Sequence, residues 1–82
     1  AERMDNRTKA VTIMLRNVGY KKATEILESC MLPKDEFNII HEHIIYKKPL
    51  GYVADTYSIS YSTAKRKLKT ALLNIYKTLS QL

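Results

Sequence analysis

Cysteine is nearly missing from this chain: Cys30 stands alone, with no second thiol for an internal disulfide. A disulfide-stapled scaffold is excluded, and a reducing cytoplasm is the expected setting. Glycine and proline are as scarce, two of each, so helix breakers are few and no glycine-rich phosphate loop can be built. No apolar run approaches the roughly 20 residues that cross a bilayer, and no secretory leader is visible. Tryptophan is absent and phenylalanine occurs once, which leaves six tyrosines as the aromatic complement. None of them has a His/Arg cluster around it, so packing or phosphate contact explains them better than nucleophilic catalysis.

Acidic residues are scarce in one half only. Residues 1–46 hold seven Lys/Arg and seven Asp/Glu, whereas residues 47–82 hold seven Lys/Arg against Asp55 alone. The whole net charge of +6 therefore belongs to the C-terminal half. Such a patch attracts polyanions, of which nucleic acid is the commonest. An anionic membrane surface fits less well, because the apolar residues of this half are needed for a core.

Catalytic and metal chemistry is not legible. His41 and His43 lie two apart and would diverge by about 200° on a helix. Adding Cys30 gives no recognisable zinc spacing. The expectation is a non-enzyme without metal or cofactor.

An apolar content of 45% in 82 residues supports one all-α domain, a small bundle of about five helices. The first is predicted from about Asn6 to Val18, with Val11, Met14, Leu15 and Val18 in helical spacing. Asp5 or Asn6 can cap it, and Gly19 can end it in a left-handed conformation. The second runs from about Tyr20 to Met31 with Ala23, Ile26, Leu27 and Cys30 on one side, unless both form one bent helix. Leu32-Pro33 marks a firmer boundary, because proline suits the first helical position. Asp35 and Glu36 then lie where the helix dipole favours anions, and Phe37, Ile40, Ile44 and Ile45 point inward along a third helix ending near Tyr46.

After the Lys47-Lys48-Pro49 turn, Leu50 to about Tyr57 reads as a fourth helix, Ser58-Ile59 as a tight turn, and Ser60 as the N-cap of a fifth helix reaching Leu79. The Ser60 hydroxyl can accept from a free backbone N–H near Thr63. Ala54 is small where two helices would cross, and Val53, Ile59, Ala64 and Leu68 supply an inner face. This is the pattern of a helix-turn-helix, whose second helix lies in the DNA major groove. At about 100° per residue, Ala64, Leu68, Ala71, Leu72 and Ile75 form one stripe. Ser62, Arg66, Lys69 and Thr70 face the other way, with Thr63 and Lys65 beside them. Double-stranded DNA is the expected partner, with Ser60, Tyr61, Ser62, Thr63, Lys65, Arg66 and Lys69 as candidate contacts and Lys47 and Lys48 reaching backbone phosphate.

The segments LPKDEFNII, LGYVADTYSIS and STAKRKLKTALLNI give residues 32–82 a likeness to region four of bacterial sigma factors, the sigma-70 family. Ala64 stands where that family usually has valine. The resemblance implies promoter binding through the helix that begins at Ser60, and contact with RNA polymerase. It leaves no room for a promoter-melting region, and residues 1–31 form a helical extension outside it. Small phage transcription regulators resemble this layout, as do the DNA-binding ends of some phage terminase small subunits. The alternative function is a protein-interaction adaptor that docks RNA polymerase or a phage protein through residues 1–46. Residues 6–31 are expected to offer a homodimer surface, with Ile13 off the main stripe, because residues 32–82 should be nearly closed by Phe37, Ile40, Ile44, Val53, Ile59, Leu68 and Leu72. The competing expectation is that these helices fold over the helix-turn-helix as core.

Overall fold

The computed structural model describes residues 6–81 and shows five α-helices, with no strand among the described residues. They are α1 (Asn6–Asn17), α2 (Tyr20–Ser29), α3 (Lys34–Ile40), α4 (Leu50–Thr56) and α5 (Tyr61–Ser80). A π-helical turn, His41–Ile45, prolongs α3. At 20 residues α5 is about 30 Å long, and α1, α3 and α4 pack along it.

The breaks coincide with the chain's few helix-ending residues. Gly19 has φ 88° and ψ 160°, a region open essentially to glycine, so α1 and α2 are separate helices rather than one bent rod. Pro33 is the N-cap of α3, one position earlier than expected, and its carbonyl accepts from the Phe37 N–H. Pro49 plays the same part for α4. Asp5, one of the two expected caps of α1, lies outside the described residues.

The buried face of α1 is displaced from the expected stripe. Thr8, Val11, Thr12 and Leu15 are buried, whereas Val18 lies beyond the helix and is 37% exposed. The two threonines are tolerated because Thr12 Oγ1 donates to the Thr8 carbonyl at 2.9 Å, which leaves its hydroxyl satisfied inside the core. The third helix also departs from a regular α-helix. Residues 41–45 widen to π geometry, and the Tyr46 N–H reaches back to the His41 carbonyl. Widening inserts part of a turn and shifts the phase of the residues beyond it.

Two connected apolar clusters form the core. The larger joins Val11 and Leu15 of α1, Ala23 and Leu27 of α2, Ile40, Ile44, and Ala71, Leu72 and Ile75 of α5. The smaller joins Ile39, Leu50, Val53, Ala54 and Ala64, with Ile59 against it, and Leu68 packs on both. The seven residues expected to close 32–82 are thus divided between the clusters: Ile40, Ile44 and Leu72 have α1 and α2 as partners. Ile39, unassigned by sequence, is buried because α3 has neighbours on two sides. Ile13 at 49% and Met31 at 89% remain exposed.

Candidate nucleic-acid interface

The turn between α4 and α5 is fixed by backbone hydrogen bonds. Ser58 adopts a left-handed φ of 57°; its N–H donates to the Asp55 carbonyl, and the Ile59 N–H donates to the Ala54 carbonyl at 3.0 Å. This pairing ends the helix and redirects the chain while satisfying the carbonyls of Ala54 and Asp55. Ile59 then drops onto the smaller core cluster, and Ala54 and Ala64, both nearly sealed from solvent, allow the two helices close approach.

Ser60 is the N-cap of α5. Its Oγ accepts from the Thr63 N–H at 3.1 Å and lies 2.9 Å from Thr63 Oγ1. Two of the candidate contacts, the Ser60 and Thr63 hydroxyls, are therefore engaged in the cap, while Ser62 stays exposed. Beyond the cap, Ala64, Ala71, Leu72 and Ile75 are buried, while Ser62, Arg66, Lys69 and Thr70 are exposed on the opposite side. Tyr61 is exposed, and the Lys65 ammonium lies 5.8 Å from its ring centroid. That contact holds a cation beside an amphipathic ring at the start of the helix.

Tertiary pairing sorts the remaining cations. Lys67 turns back to α3 and pairs with Asp35, holding that carboxyl below the usual range. Lys48 pairs with Glu42 at 3.0 Å, and its ammonium lies 5.5 Å from the Tyr52 ring centroid and 5.9 Å from that of Tyr46. The Tyr57 hydroxyl approaches Glu42 as well. Tyr57 and then Lys48 lower the Glu42 pKa, while the carboxylate pushes Tyr57 up to about 12. Glu42 Oε2 is buried and has no hydrogen-bond partner among the described residues. Lys48, expected as a phosphate contact, is thus shared with an internal acid; Lys47, at φ 61°, is exposed.

Two other residues stand near these lysines without having been expected there. His43 Nδ1 donates to the Lys48 carbonyl at 2.8 Å and pins the loop. Arg16, in the last turn of α1, joins His43, Lys47, Lys48 and Pro49 around one open cleft. No local pattern links Arg16 to Lys47; only the packing of α1 on the π turn does so. His41 has a different environment, stacked on Phe37 with ring centroids 5.5 Å apart and edge-on to Tyr46. Tyr20 hydrogen-bonds Tyr46 at 2.6 Å and completes this aromatic group.

The chain matches no protein-family profile, no curated protein and no solved structure.

Proposed function

We propose that this chain binds double-stranded DNA sequence-specifically through α4 and α5 and regulates transcription in the cytoplasm. The supporting observation is the division of α5: a sealed apolar stripe on one side, and Ser62, Arg66, Lys69 and Thr70 exposed on the other behind a capped start. A helix with short hydroxyls near its start and cations further along suits a groove floor flanked by phosphates. The likeness of residues 32–82 to sigma region four points to promoter DNA, with RNA polymerase as the protein partner.

The test is selection of bound duplexes from random DNA, then fluorescence anisotropy on the selected site. Arg66→Ala should weaken specific binding by about 1–3 kcal/mol and leave the fold intact. Unchanged affinity in a folded variant would remove Arg66 from the interface.

A second reading makes α1 and α2 a protein-docking or self-association surface, supported by the exposure of Ile13, Val18, Tyr20 and Met31. Salt separates the two: phosphate contacts weaken steeply with ionic strength, whereas an apolar surface does not. Sedimentation at micromolar concentration tests the homodimer, which a mass near 9.5 kDa would exclude.

A further inference from the structure

The basic cleft between the end of α1 and the loop before α4 lies outside the recognition face of α5. Arg16, His43, Lys47, Lys48 and Pro49 line it. Arg16 and Lys47 make no ion pair among the described residues. Glu42, on the π turn itself, is paired with Lys48 and faced by Tyr57 of α4. From α2, Tyr20 meets the π turn at His41 rather than at His43. Of the residues that line the cleft, Arg16, Lys47 and Lys48 are cationic and none is acidic. An arginine fork beside a lysine ammonium suits the oxygens of a phosphate.

His43 fixes the loop of this cleft: a carbonyl can only accept, so the ring donates from Nδ1 to the Lys48 carbonyl beside Lys47. We propose that this cleft holds a backbone phosphodiester of bound DNA, gripped by Arg16 and Lys47. The inference rests on DNA binding by α5 and extends the footprint to α1, outside the sigma-like residues.

The test is anisotropy of the full chain on the selected duplex and on unrelated duplexes, across salt. Arg16→Gln and Lys47→Gln, both at exposed positions on separate elements, should each weaken binding about three- to tenfold on every duplex. Each should also lower the salt slope by about one. If Arg66→Ala weakens the selected site while Arg16→Gln and Lys47→Gln change neither affinity nor salt slope, the cleft is overturned and DNA binding by α5 stands. A parent chain that binds no duplex overturns the cleft and the DNA reading together.

Discussion

Leu15→Ala measures whether the N-terminal helices belong to the same cooperative unit as the helix-turn-helix. Leu15 is 2% exposed and lies in the cluster with Leu27, Ile40, Ile44, Leu72 and Ile75, which spans both halves of the chain. The substitution removes three carbons, worth about 0.8 kcal/mol per buried methylene, or about 2.4 kcal/mol in transfer alone. The cavity left among helices that cannot fully collapse raises the expected cost to about 3–5 kcal/mol. An 82-residue domain holds about 4–12 kcal/mol in total. The change should therefore lower Tm by at least about 12 °C and leave the weakest estimate of the fold unfolded. Ile13→Ala on the same helix is the control: Ile13 is 49% exposed, and its loss should stay within about 0.5 kcal/mol. The assay is urea unfolding monitored by circular dichroism on both variants. Equal midpoints for the two variants would refute the assignment of Leu15 to the core. A two-step curve, with α1 and α2 lost first, would refute the single unit.

Ser58→Gly should stabilise the chain by about 0.5–1 kcal/mol, because a serine held at φ 57° bears a steric cost that glycine escapes; a lowered Tm would show that the Ser58 side chain contributes something the backbone geometry does not. Gly19→Ala should destabilise by about 1–3 kcal/mol despite open space around it, since φ 88° with ψ 160° is closed to a Cβ; an unchanged urea midpoint would mean that the α1–α2 link relaxes freely. Tyr57 should ionise near pH 12 in a difference titration against Tyr57→Phe, and Glu42→Gln should bring it back toward 10. A phenol whose pKa is raised in the folded state contributes stability that is complete below its unfolded value and is lost as pH rises toward the folded one. Stability should therefore fall between about pH 10 and 12, and less so in Glu42→Gln; an identical alkaline decline in both would dissociate Tyr57 from Glu42.

Helix positions were legible wherever a local rule fixed them. Gly19, Pro33, Pro49 and Ser60 act within a few residues of chain, and each begins or ends a helix within a residue or so of expectation. The rotation of α5 was legible for the same reason, since a long helix with one stripe of Ala64, Ala71, Leu72 and Ile75 leaves a single choice of inner face. Where the answer depends on a neighbour far along the chain, the sequence was silent. Thr8 and Thr12 look solvent-facing by type, and are buried because α1 lies against α5 and the hydroxyl of Thr12 finds a carbonyl on its own helix. Ile39 sits off the stripe of its own helix, and is buried because α4 and the start of α5 cover that side. The π widening has no local signature at all: HEHII would propagate an ordinary helix as readily.

Charge shows the same limit, with a consequence for the interface. By composition the C-terminal half carries the entire excess of +6, and the cations of residues 65–69 look like one continuous patch. In the fold, acids of the neutral half cross over to that patch: Asp35 takes Lys67 and Glu42 takes Lys48. Neither pair is a large source of stability, because both are at least partly solvated. Their stronger effect is on the field. Lys67 stands between Arg66 and Lys69 in sequence but is drawn toward α3, so the exposed cations of α5 are confined to the side away from the core. On the loop the neutralisation of Lys48 leaves Lys47 as the outward cation, and Arg16 arrives from α1 to stand beside it. The fold thus trades a basic segment of sequence for a basic surface whose residues come from both ends of the chain. Truncation before Leu32 would remove Arg16 from the cleft along with the core residues Val11, Leu15, Ala23 and Leu27.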